Sequence, residues 1–260
     1  MKIFLSALET AYAPKAKGSE AVSKLLVRNG IQMKWNLMSF YYIKSGKQAV
    51  NAEFIRDHTE SIMIDSGAHS FQKGVKVDWE KYTEKYARFI TTFDRPNVIG
   101  YFEMDVDNII GYERVKALRA MLENVSNKII PVWHKNRGIE DFKEMCRTHR
   151  GRVVAITGFR NEDIKDHQYP MFVKYAHEQG CKIHCLGMTR PRVLDSCPFD
   201  YTDSSAWLAS ANRGRVYRTG VKAPRQFTRQ NYDIMFIESY KQGVEMQRHY
   251  HNKWQAISRD

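Results

Sequence analysis

Apolar residues gather in eight short runs, at positions 2–6, 35–43, 61–65, 98–105, 128–134, 153–158, 182–188 and 199–203. Runs of this length, bounded by turn residues, read as buried parallel strands. Most are separated by segments with helical spacing. Behind Asp78, for example, Trp79, Tyr82, Tyr86 and Phe89 recur at three- and four-residue steps, a stripe that suits core packing. Helices are predicted at about 19–28, with Ser19 as N-cap and Asn29-Gly30 as the stop, and at about 49–58, 78–93, 112–124 and 140–148. Further helices are expected within 161–179, interrupted or beginning late at Pro170, and at about 191–196 and 225–254. Eight strand–helix repeats with short connections predict an α/β fold, a (β/α)8 TIM-type barrel. The barrel should occupy about 1–210 of a single 1–260 domain, followed by a basic C-terminal loop and helix over about 211–260. No GxGxxG or GxxxxGK follows any strand, which argues against a nucleotide-binding sheet.

Composition refines this picture. The 260-residue chain is 43% hydrophobic, a globular value, and contains no apolar run long enough to cross a bilayer. The short apolar start, cut off at Glu9, reads as the first strand rather than a signal peptide, so a cytoplasmic location is expected. The four cysteines show no CxxC pair. Cys181, His184 and Cys185 tempt a zinc reading, but on a strand the cysteines face one side and the histidine the other. Lys and Arg outnumber Asp and Glu 41 to 29, a net charge of +12. Arg213, Arg215, Arg218, Lys222, Arg225 and Arg229 fall in a stretch without acids, interleaved with Tyr217 and Phe227. That clustering suits a phosphate backbone and a stacked base better than a merely solubilising surface.

The strand ends carry the chemistry. In a parallel barrel the carboxyl ends of the strands converge on one mouth, and three runs bring a carboxylate there: Asp65, Asp105 and Asp203. Asp65 precedes Ser66-Gly67-Ala68-His69-Ser70-Phe71, a small-residue turn that would let a planar ligand approach the backbone. Asp105 lies between Glu103 and Asp107, an alternation that would point all three acids to one side. Such a trio could ligate a cation, although magnesium sites usually draw on phosphate oxygens as well. His134 ends its strand as a candidate general acid or base contact, and Gly158 would admit a ligand edge to backbone amides.

The ordered motifs Ile-Asp-Ser-Gly-Ala at 64–68, Glu-Met-Asp at 103–105, Pro-Val-Trp-His at 131–134, Ile-Thr-Gly-Phe at 156–159, Leu-Gly-Met at 186–188 and Phe-Asp-Tyr-Thr-Asp-Ser at 199–204 resemble the tRNA-guanine transglycosylase family. The likeness spans about residues 60–210 and is nearest to the branch that inserts 7-deazaguanines into DNA, found in phages and bacterial modification clusters. It implies Asp203 as nucleophile, Asp65 as acid/base and Asp105 as the reader of the purine's polar edge. It also implies a base pocket that includes Ser66, Gly67, Gly158 and Phe159, with His69 or Phe71 in the place of a stacking aromatic. His134 stands where the tRNA enzymes usually carry a glutamine. No cysteine follows Cys197, so the family's zinc subdomain is missing; no metal is expected, and the basic segment becomes the candidate nucleic-acid dock.

The activity implied is exchange of guanine in DNA for a 7-deazaguanine (preQ0-type) base through a covalent Asp203–nucleotide intermediate, without a cofactor. DNA is the expected polymer and tRNA the alternative; a catalytically idle nucleic-acid-binding barrel is the reading from a different class. A homodimer is an allowed state, no membrane contact is expected, and a phage-encoded protein would act in the host cytoplasm.

Overall fold

The computed structural model describes residues 1–14, 18–44, 46–71, 76–157, 164–224 and 232–257, apart from the side chain of His69. Eight parallel strands close into a barrel: β1 (Lys2–Ser6), β2 (Met33–Ser39), β3 (Thr59–Asp65), β4 (Val98–Phe102), β5 in two pieces (Ile129–Ile130 and Val132–Trp133), β6 (Val153–Thr157), β7 (Lys182–Leu186) and β8 (Tyr201–Ser204). Closure comes from β8 against β1, where Asp203 is opposite Phe4 and Ser204 opposite Leu5. The predicted TIM-type barrel is therefore the observed fold.

The interruption in β5 is Pro131, which has no N–H to offer the ladder. The first piece pairs with β4 and the second with β6. Glu103 compensates at the break: its Oε1 accepts from the Val132 N–H at 2.6 Å, while Oε2 lies 3.4 Å from the Arg119 guanidinium. Glu103 is thus buried against a helix, and the predicted same-side trio of acids does not form. Strand β4 stops at Phe102, so the alternation of side chains ends before the acids begin.

Pleating sends alternate residues to the lumen. Phe4, Trp35, Leu37, Met63, Phe102, Ile130, Val132, Ala155 and Tyr201 fill it. The complementary positions pack against surrounding helices, among them α1 (Val22–Arg28), α4 (Trp79–Phe93), α6 (Tyr112–Glu123), α7 (Gly138–Thr148), α8 (Tyr169–Glu178) and α10 (Ala206–Asn212). Each large apolar side chain so buried contributes roughly 1.5–3 kcal/mol before entropy is counted. Asp78 caps α4 as expected, accepting from the Lys81 N–H.

Three predicted boundaries shift. Residues 19–21 pair antiparallel with 12–14 in a small hairpin, so α1 starts at Val22. The run 35–43 divides into β2 and a single helical turn, α2 (Phe40–Ile43). The last helix, α11, runs over Asp233–Ile257 and is built into the wall. Gln247 Nε2 donates to the carbonyls of Ile3 and Trp35 at 2.8 and 2.9 Å, and Tyr240 donates to buried Asn36. At Gly243 a Cβ would come within 2.7 Å of Leu5, so glycine is what lets α11 approach β1.

Candidate active site

At the carboxyl ends of the strands opens a cavity of about 550 Å³, lined by Glu9, Asp65, Asp105 and Asp203 together with Ser6, Ser39, Tyr42, Ser70, Leu37, Leu186 and neighbouring backbone. The pleat explains the membership. Ser6, Ser39, Asp65, Thr157, Leu186 and Asp203 each lie two residues beyond a lumen-facing position and form the layer above the packed core.

Asp203 is held by three donors. Its Oδ1 accepts from His184 Nε2 and from the Gly187 N–H, both at 3.0 Å, and its Oδ2 accepts from Ser6 Oγ at 3.1 Å. His184 is fully buried in the lumen, while Cys181 and Cys185 are buried between strand and helices. The opposite-face argument against a zinc site at 181–185 therefore holds.

Asp65 ends β3 directly opposite Ser39 of β2. The Gly67 N–H donates to Asp65 Oδ2 at 3.1 Å. Gly67 has φ +72°, and a Cβ there would meet Tyr41 Cβ at 2.4 Å and Ser39 Oγ at 2.6 Å. The glycine therefore serves close packing of turn against strand. It does not provide the open approach for a ligand that the sequence suggested.

Glu9 completes this corner. It sits on the turn after β1, only 1% exposed, and Oε1 accepts from the Ser39 N–H at 3.0 Å. Burial raises its carboxyl to about 7, with the Asp65 charge adding to the rise and the Ser39 hydrogen bond opposing it.

Asp105 and His134 form a close hydrogen-bonded pair, both buried. Burial alone would depress His134. The Asp105 hydrogen bond and charge, with the charge of Asp107, outweigh it and leave the imidazole raised above its usual value. Asp105, Asp107 and His134 place ligand-type atoms within 4.8 Å of one another. Those atoms already have partners: Arg137 lies 4.0 Å from Asp107 and 3.3 Å from Asp141, and Asn136 donates to Asp107. The cluster reads as a hydrogen-bonded clamp that orients Asp105 toward the cavity.

Other predicted positions fall elsewhere. Ser66 is fully buried, its carbonyl accepting from Tyr82, and it does not line the cavity. Phe71 is held edge-on against Tyr41, Trp79 and Tyr82, so it belongs to an aromatic core cluster; among the described residues the aromatic lining the cavity is Tyr42. Gly158, Phe159, Arg225, Arg229 and the His69 side chain lie outside the described residues. Arg213, Arg215, Arg218 and Lys222 are exposed on a small loop closed by an Arg215–Lys222 bridge. That loop is tied to α11 through Tyr217 and Ser239, and none of its residues lines the cavity.

Glu9, Ser6, Ser39, Tyr42 and His184 were not singled out from the sequence as site residues. The signal for His184 was present in its strand parity. Glu9 lies beyond the end of β1, where no periodicity applies.

No protein-family model matches the sequence, and no curated protein does. Among solved structures, the chain is similar to a Coccidioides immitis protein described as a fructose-1,6-biphosphate aldolase, with a TM-score of 0.57 and 9% identity. The match covers 95% of this chain and 89% of that one. At this identity the likeness supports the TIM-type barrel and carries no statement about substrate.

Proposed function

We propose that this protein is a transglycosylase that exchanges guanine in DNA for a 7-deazaguanine base, with Asp203 as nucleophile. The observation that carries the reading is the Asp203 carboxylate, gripped by Ser6, His184 and Gly187 and lining the same cavity as Asp65 and Asp105. Cleaving an N-glycosidic bond builds positive charge on the sugar, and a positioned carboxylate can capture it as a covalent intermediate. Among the described lining residues there are four carboxylates and no Lys or Arg, between apolar walls such as Leu37 and Leu186. Such a cavity favours a flat ligand rich in N–H donors, as guanine and 7-deazaguanine are.

In this scheme Asp203 attacks C1′ and guanine leaves. The 7-deazaguanine then enters and gives up its N9 proton at the Asp65 corner, and the reverse attack restores the glycosidic bond. Asp105, braced by His134, accepts hydrogen bonds from the base edge. The target nucleotide must be single-stranded or flipped to reach a cavity of this depth. A nucleic acid is favoured as partner by the net charge of +12, and DNA over tRNA because residues 198–260 hold none of the cysteines that bind zinc in the tRNA enzymes. Incubation with labelled 7-deazaguanine and either DNA or tRNA tests the reading. Incorporation into DNA supports it, incorporation only into tRNA transfers the chemistry to that polymer, and failure with both leaves a binding barrel.

A further inference from the structure

We propose that Glu9 carries the transferable proton of this cavity, giving it from Oε2 to the departing base and recovering it from the incoming one. The inference rests on the transglycosylase reading and locates the proton that the chemistry requires.

Three geometric facts support it. Glu9 is 1% exposed yet lines the cavity. Its Oε1 is occupied by the Ser39 N–H, while Oε2 has no hydrogen-bond partner among the described residues. Its backbone is aimed by a strained turn: Ala7 adopts φ +73°, a left-handed conformation unusual for alanine, and Asn51 Nδ2 clamps the Glu9 carbonyl at 3.1 Å. Strain at a non-glycine residue beside a cavity is commonly tied to function. Because Ser39 pairs with Asp65 across the strands, the Ser39 N–H suspends Glu9 beside the Asp65 carboxylate.

The surroundings determine its charge. Asp65, Asp105 and Asp203 share the cavity, and Tyr42 of α2 reaches it. The neighbouring helix α3 (Gly46–Asp57) turns neutral Asn51 toward Glu9, and α1 presents Ser23 to Asn51. The cations of these elements are engaged elsewhere: Lys24 over Phe54, Arg28 with Glu20, Lys47 over Tyr12 and Arg56 with Asp57. A buried carboxyl among other carboxylates and without a counterion among the described residues keeps its proton near neutrality. Protonated Glu9 then presents an O–H donor that meets no acceptor among the described residues, and a bound base can supply one.

The step balances. Asp203 forms an ester bond to C1′, the C1′–N9 bond breaks with its electron pair on the base, and the Glu9 proton neutralises the departing guanine. In the return step the N9 proton of 7-deazaguanine passes to Glu9. The N9 electron pair bonds to C1′, and the ester C–O bond breaks to restore the Asp203 carboxylate.

Glu9→Gln tests this, since the amide oxygen can still accept from Ser39. Infrared difference spectra between the wild-type protein and E9Q, taken from about pH 5 to about pH 9, read a protonated carboxyl without any substrate. A carboxylic C=O band present in the wild type at pH 6 and lost near pH 7 is expected; its absence at pH 6 overturns the proposal. In guanine exchange, E9Q should lower kcat by about a hundredfold, with a smaller change in KM, and should flatten the pH dependence near neutrality. An E9Q profile that parallels the wild type also overturns it. If the band is present but the wild type exchanges no base on any polymer, the transglycosylase reading fails while the proton on Glu9 stands.

Discussion

His184 Nε2 lies 3.0 Å from Asp203 Oδ1, while the other ring nitrogen meets no hydrogen-bond partner among the described residues. The ring sits in the lumen beside Phe4, Phe102 and Tyr201. A carboxylate oxygen can only accept, so Nε2 donates in this hydrogen bond. The imidazole thus orients the carboxylate from below, and Ser6 and Gly187 hold it from the sides. His184→Phe keeps a ring in the lumen and removes the donor. A hydrogen bond to a charged group is worth about 1.5–3 kcal/mol, so covalent-adduct formation should slow roughly tenfold to a hundredfold. Quench-flow or gel assays of the adduct check this, with base KM little altered. An unchanged rate would show that Ser6 and Gly187 suffice.

Asp203→Asn should abolish any adduct between protein and DNA that resists denaturation, whereas Ser6→Ala, which removes one of three donors, should slow adduct formation without abolishing it. Denaturing gels after incubation with DNA distinguish the two variants. A full-strength adduct in the asparagine variant would remove Asp203 from the nucleophile's place.

Gly67→Ala places a methyl within 2.4 Å of Tyr41 Cβ and 2.6 Å of Ser39 Oγ at a positive φ. Strain of about 1–3 kcal/mol adds to a similar overpacking cost, so the urea midpoint should fall clearly. Because the same N–H holds Asp65, activity should fall more than stability alone explains. A wild-type midpoint would mean the turn can move away from β2 at little cost.

The sequence revealed the barrel because its period-2 and period-3.6 patterns are physical consequences of layered packing. It located Asp65, Asp105 and Asp203 because each closes or just follows an apolar run. Periodicity fails where a strand ends: Glu103 looked equivalent to Asp105, yet termination of β4 at Phe102 sends it to mend the Pro131 gap. Glu9 was hidden because its position depends on the Ser39 amide, thirty residues downstream in the chain. Phe71 was misread because one aromatic in a turn does not reveal which others will enclose it. The lesson at Gly67 is similar, since a glycine that makes room does not say what fills it.

Arg213, Arg215, Arg218 and Lys222 form an exposed cationic face that does not line the cavity. If that face holds the polymer, replacing all four with alanine should weaken DNA binding across sequences. It should also flatten the dependence of log K on log salt by about 0.9 per lost phosphate contact. Fluorescence anisotropy across a salt series measures both. An unaltered slope would place the DNA elsewhere on the molecule.

Glu9 should make the folded state less stable as pH rises. Its carboxyl titrates at about 7 in the folded protein against an ordinary value of 4.5, so the folded state binds the proton more tightly than the unfolded one. Below the unfolded value both states are protonated and nothing is lost. Between the two values the unfolded chain releases its proton first, and stability falls by about 1.4 kcal/mol per pH unit. Above the folded value the loss levels off, at a total on the order of 3 kcal/mol. Glu103, also raised to about 7 by burial, titrates in both the wild type and E9Q and cancels in their difference. Urea unfolding of the two proteins should therefore show E9Q gaining on the wild type from about pH 5 upward and holding that gain above pH 7. Parallel curves through that window would mean that Glu9 is ionised in the folded protein and has no proton to give.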